Sequence, residues 1–328
     1  MSTQSLHASL SRANMDVTER LQRVGRELAT QRLAEPMQQA PVSSLSDLVS
    51  ARRAAENAGR HLDALTLAAG RAGATAVAIG ALRESVTGLP EQMLHMGTTE
   101  SSAAGEPIAQ RAALALDAAV GALNTQSGGR HLFAGTATDR APLADADTIT
   151  GAARAAYDSA MAGGTSAAAA VAAAVSAVQT GFADGSLYRG ATAGTVAVHA
   201  NGSGIAYGAR ADEPALRDTI AGLAVAAAVA GKTPGERAAA LNAAAVHLLS
   251  QRDNVIAVEA RVGTAQAAIE DAQESGRAHL GGARERLQAL EGVDPYTAAT
   301  ELEELRVQLE TIYAVTGRIA GMSLAGRL

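Results

Sequence analysis

The chain has 328 residues, 48% of them hydrophobic but only 2% aromatic, with no Trp, two Phe and no Cys. A formal charge of −6 and the lack of basic stretches interleaved with aromatics argue against a nucleic-acid partner. The absence of Cys excludes disulfides, thiol catalysis and thiolate metal sites. Ala supplies most of the apolar content. Small side chains bury little area each but let helix axes approach closely, so thin helical bundles are expected before a thick α/β body.

The first element is a helix whose apolar residues Leu10, Val17, Leu21, Val24 and Leu28 alternate by threes and fours, with Asn14 on the same seam. Such spacing leaves one narrow stripe suited to packing on a second helix. Pro36 and Pro41 close it. A long helix is expected from about Leu45 to Val86, on the order of 60 Å at the α-helical rise. Pro90 and Pro107 bracket a Gly/Ser/Thr-rich link, after which a third helix is expected to reach Leu123.

Residues 144–180 are Ala-rich and read as short helices. The runs 195–199 and 205–209 alternate around Asn201-Gly202-Ser203-Gly204, the pattern of a β-hairpin. Pro214, Pro234 and Pro295 each stand where a helix should begin, at the position that tolerates proline best. After Pro234 a continuous seam runs through Leu241, Ala244, Leu248, Val255, Val258, Val262, Ala265, Ile269 and Ala272. The chain then ends as it began, with Ala298, Leu302, Leu305, Leu309, Ile312, Thr316 and Ile319 on one stripe, and Leu324 just beyond.

These features define a mainly α fold: an elongated helical bundle or coiled coil with paired N- and C-terminal helices and a small middle region containing a β-hairpin. The expected segments are an N-terminal helix (1–40) pairing with a C-terminal one (293–328), and two rod halves (41–143 and 233–292). Between them lie an Ala-rich helical excursion (144–194) and the hairpin with its following helix (195–232).

No constellation carries chemistry. The seven His residues show no metal-ligand spacing, and surface or capping roles suit them. Gly231-Lys232-Thr233 lacks the earlier Gly of a phosphate loop, since position 226 is Ala, and reads as a turn. Gly202-Ser203-Gly204 lacks the spacing of a nucleophile elbow. No catalytic, cofactor or metal residue is nominated. The first twelve residues lack the pattern of a cleavable signal, and no stretch matches the roughly 20 bulky apolar residues of a membrane span.

The most specific motif is Leu123-Asn124-Thr125-Gln126-Ser127-Gly128-Gly129-Arg130-His131-Leu132-Phe133-Ala134-Gly135-Thr136. It resembles the segment where members of the flagellin superfamily leave their first helical half. Gly129, Arg130, Leu132, Phe133 and Gly135 make it more similar to the hook–filament junction branch, the third hook-associated proteins, than to filament flagellins. The closing helix from Gln308 to Leu324, and Gly202–Gly208 with Asp212–Asp218, resemble the same branch. The beginning departs from it: Gln31–Pro41 stands where relatives carry Gly-Lys-Arg-Ile and then Pro-Ser-Asp-Asp-Pro.

The resemblance implies an extracellular, exported structural subunit of the bacterial flagellum, an adaptor ring joining hook to filament. Its implied partners are copies of itself, an adjoining hook-associated protein, flagellin and an export chaperone. It also implies inner terminal helices, with the long helices forming a rod outside them. Leu10, Val17, Leu21, Val24, Leu28, Leu302, Leu305, Leu309, Ile312, Ile319 and Leu324 are then the expected assembly interface, with the terminal helices ordering as they assemble. Filament flagellin and, in another class, a cytoplasmic coiled-coil adaptor are the competing readings.

Overall fold

The computed structural model describes residues 3–39, 42–96, 105–194, 196–200 and 202–325. The Gly/Ser/Thr-rich link before the third helix falls mostly outside them. The fold is mainly α, with two small antiparallel β-hairpins among the described residues. It divides into two compact units: one from residues 1–61 with 276–328, the other from residues 62–275.

The first unit holds α1 (Thr3–Thr30), α2 (Pro36–Gln39), a 3-10 turn (Val42–Ser44), the start of α3 (Leu45–Val86), the end of α9 (Pro234–Glu291) and α10 (Pro295–Ala325). Helix α1 packs against α10. Its C-terminal end lies beside the start of α10, where Val293 N donates to the Gln31 carbonyl, and Arg20 pairs further along with Glu301. The two helices therefore run antiparallel. Glu291 joins the α9 end to α3 through Arg52 at 2.5 Å.

The second unit carries the rest of α3 and α9, with α4 (Leu89–Met96), α5 (Gly105–Leu123), α6 (Ala146–Ala162), α7 (Ala167–Ala183) and α8 (Pro214–Ala228). Within it α3 and α9 lie side by side, with Arg83 reaching Glu259 at 3.1 Å. Every seam residue expected on α9, from Leu241 to Ala272, is buried. Two-stranded sheets come from β1 (Gln126–Ser127) with β2 (Arg130–His131), and from β3 (Ala197–Ala200) with β4 (Ser203–Ala206).

Helix α8 is the centre of this unit. It touches α5, α6 and α7, and every residue from 219 to 229 is buried, most of them Ala or Val. A helix buried on all sides needs short side chains wherever another helix crosses it. Gly222 marks one such close approach, where an added Cβ would lie 2.6 Å from Leu248 Cδ2. The core is thus wider than the composition suggests, because Ala fills it where rings would in other proteins. Tyr157 is among the largest residues fully inside. Burial, then the nearby charge of Glu236, pushes its hydroxyl pKa up to about 12.

The expected boundaries of α3 coincide with the observed ones, and α6 and α7 are the short Ala-rich helices. Side-chain caps begin both: Asp145 accepts from Thr148 N and Ser166 from Ala169 N. The second hairpin is tighter than expected. Ala200 pairs with Ser203, so two residues separate the strands rather than five, and Tyr207–Ala209 lie beyond β4.

The stretch Ser43–His95 includes a window of mean hydropathy 1.4, long and apolar enough by composition to cross a membrane, which differs from the sequence expectation. Its apolarity is mostly Ala. Of its larger residues, Leu65, Ile79 and Leu82 are buried in the chain's own cores, whereas Leu67 and Val77 are exposed.

Ala224→Leu on α8 should cost about 1–3 kcal/mol through overpacking. Urea unfolding of the full chain checks this, and an unchanged midpoint would show that α8 is not enclosed.

Candidate functional site

Two places hold the residues singled out by the sequence, one in each compact unit. The first is the α1–α10 pair. Val17, Val24, Ala298 and Leu305 are buried together, with Leu21, Leu28, Val293, Leu302, Leu309 and Ile312 half-buried against them. Leu10 is half-buried but outside this cluster. The side chains of Ile319 and Leu324 lie outside the described residues.

The expected interface residues on the two helices thus face each other within one subunit. A single stripe per helix seals only one side. Met15, Tyr296, Val307, Tyr313 and Val315 remain outward, Tyr296 with 81% of its surface exposed. Asn14 interrupts the seam, and its Oδ1 is buried without a hydrogen-bond partner among the described residues. A polar residue at such a position fixes helix register at a cost in stability.

Sequence reasoning left Gln31–Pro41 without a role, but its described part, residues 31–39, is the clasp of the pair. Gln31 turns the chain at φ +54, a left-handed conformation unusual for a non-glycine residue. Leu33 N then donates to the Glu291 carbonyl, and Arg32 bridges to Gly292. Glu27, itself buried, accepts from Ala34 N at 3.1 Å and Gln39 Nε2 at 2.7 Å.

On the other side of the clasp, Asp294 begins α10. Its carboxylate accepts from Thr297 Oγ1 at 2.8 Å and Tyr296 N at 3.1 Å. These hydrogen bonds, that of Thr297 foremost, hold its pKa below the usual carboxylate value. The Asp-Pro sequence could have suggested this cap. Nothing in the sequence pattern marked the left-handed Gln31.

The second place is the segment from Asn124 to Gly135. Gly128 and Gly129 have φ +58 and +73 between β1 and β2, the two left-handed residues of a type I′ hairpin turn. The Asn124 side chain acts as a surrogate backbone, accepting from Leu143 N at 2.9 Å and donating to its carbonyl at 3.2 Å. Of the surface or capping roles expected of it, His131 does not take the first, since it is buried. Its Nδ1 lies 2.9 Å from the Asn124 carbonyl, which can only accept, so that nitrogen carries the proton and Nε2 accepts from Gln126 at 2.8 Å.

Leu132 and Phe133 enter the main core of this unit. The Phe133 carbonyl accepts from Ala211 N, and that of Ala134 from Ala191 N. Gly135 has φ +62, and a Cβ there would lie 2.7 Å from the Ala191 carbonyl oxygen. Arg130 is the one of the five motif residues with an exposed side chain, and it makes no ion pair among the described residues. The Gly-Gly pair between Gln-Ser and Arg-His was a hairpin signal legible in the sequence. The Asn124 clamp was not.

Among the described residues, no group of three or more His, Asp or Glu is placed to hold a metal ion. No protein-family model matches the chain, and no curated protein matches it. Among solved structures it is similar to one provisionally described as a flagellar hook-associated protein from Vibrio parahaemolyticus. Identity is 14% and the TM-score 0.49, over 77% of this chain and 96% of that one. That degree of likeness transfers neither a fold nor a function, so the functional reading rests on the chain's own residues.

Gly129→Ala should cost about 1–2 kcal/mol for its left-handed backbone alone, since open space surrounds it. Gly135→Ala should cost clearly more, because the Ala191 carbonyl blocks it. Chemical denaturation of the two variants checks the order.

The depressed pKa of Asp294 means that the unfolded chain takes up this proton first. Its stabilising contribution is present above about pH 4 and is lost as pH falls through the lower folded value. Asp294→Asn should therefore flatten the acid limb of stability, read by circular dichroism melts between pH 3 and pH 6.

Proposed function

We propose that this chain is a non-catalytic structural subunit of the bacterial flagellum, and within it a component of the ring joining hook to filament. It acts by assembling with copies of itself and with adjoining hook-associated protein and flagellin. On this reading it works outside the cell, after delivery by an export chaperone.

The observation that carries this reading is the half-sealed α1–α10 pair. Its two helices come from opposite ends of the chain, share one seam and leave Tyr296, Val307 and Tyr313 exposed. The Gly-Gly-Arg-His-Leu-Phe-Ala-Gly motif supports it through its resemblance to the junction branch. Helices stabilised mainly by a partner are marginal alone. Assembly would complete their burial, since interfaces of permanent assemblies bury roughly 2,000–5,000 Å², which offsets the ordering entropy.

Immunogold labelling of intact flagella tests the reading. A single band at the distal end of the hook is expected, and deletion of the gene should leave hooks without filaments. Labelling along the whole filament would replace the junction reading with flagellin. A label confined to the cytoplasm would replace both with the coiled-coil adaptor.

Leu305→Asp places an unpaired charge in the buried seam, at a cost of several kcal/mol. It should abolish incorporation while leaving the second unit folded. Cells that still assemble attached filaments with this variant would show that the seam is not required. For coupled ordering, circular dichroism should give less helix per residue in the free full-length chain than in one lacking 1–30 and 295–328. Equal values would refute ordering on assembly.

A further inference from the structure

Arg130 is the motif residue whose side chain makes no hydrogen bond or ion pair among the described residues. It lines a cavity of about 50 Å³ together with Arg71 of α3, Thr75, His131, Thr138 and Tyr207, all within one compact unit. Neither guanidinium has an ion pair or a hydrogen bond among the described residues, and Arg71 Nε is buried without a partner. No Asp or Glu lines the cavity. Both ring nitrogens of His131 are engaged, by Asn124 and Gln126, and are not free to bind a ligand.

Two like charges at one opening repel each other, and a buried N–H left unsatisfied is costly. One anion between them would remove both penalties. The planar fork of Arg matches the paired oxygens of phosphate and carboxylate. Size narrows the choice further. One water needs about 10–15 Å³ by this measure, so the enclosed space admits a group of only a few heavy atoms.

We infer that Arg71 and Arg130 form a binding site for one small oxyanion, a phosphate or a carboxylate group. The site stands independently of the flagellar reading. It gives Arg130 a role in capturing a ligand rather than in folding.

The test uses the full-length chain with inorganic phosphate and, separately, acetate, each against chloride at matched ionic strength. Binding is read as a saturable thermal upshift and as perturbation of arginine Nε–H resonances. Wild type should saturate with at least one probe. Arg130→Gln and Arg71→Gln should each weaken that response about tenfold or more, and Arg53→Gln on the other unit should leave it unchanged.

Because Arg130 is exposed and unpaired, loss of fold cannot mimic its effect. Saturation by phosphate alone supports a site for a free tetrahedral anion. Saturation by acetate as well supports capture of an acidic side chain's carboxylate. Failure of both probes to saturate, or an undiminished response in Arg130→Gln, overturns the inference.

Discussion

The terminal unit depends on one constraint: α1 and α10 each have a single apolar stripe, and a stripe can be sealed from only one direction. Val17, Val24, Ala298 and Leu305 use that direction up against each other. Their flanking residues stay half-buried because two helices in contact cannot enclose a cylinder's whole hydrophobic edge. The clasp at Gln31–Leu33 and Glu291–Val293 holds the register with backbone hydrogen bonds, so the pair does not rely on the seam alone. The exposed ion pair Arg20–Glu301 adds little to that, since such pairs are worth at most about 1 kcal/mol.

The second unit solves a different problem with the same alphabet. An Ala-rich helix has no strongly preferred face, so nothing in α8 dictates which side should be buried. The fold buries every side of its second half. Close approach then replaces bulk, and the contact at Gly222 measures how close that approach is. Short side chains also lose little or no rotamer freedom on burial. A core poor in rings can therefore hold together, although each residue contributes less buried area.

How much of this was legible follows from which signals are local. Prolines placed the starts of α8, α9 and α10 because a missing N–H is a property of one residue. The α9 seam was readable because its period repeats over many turns. Assembly of α5, α6 and α7 around α8 was not readable, since all four are rich in small residues and periodicity cannot assign their faces. The hairpin's existence was clear, but its register depended on whether Ser203 and Gly204 belonged to turn or strand, which alternation leaves open. The Gln31 turn and the Asn124–Leu143 clamp are long-range consequences, set by where the chain must go next.

The same distinction bears on the motif that carries the family resemblance. Gly128 and Gly129 are required by the backbone, Gly135 by the Ala191 carbonyl, and His131, Leu132 and Phe133 by burial. Each of these would be needed in any protein that folded this turn, whatever that protein did. Their agreement with a family pattern is therefore an argument about architecture. Arg130 stands apart: the turn would form as well with Gln there, because its exposed side chain contributes no described hydrogen bond or ion pair. A residue without a folding role in an otherwise fully explained segment is where recognition chemistry is most economically placed, and Arg71 across the same cavity gives that chemistry its sign.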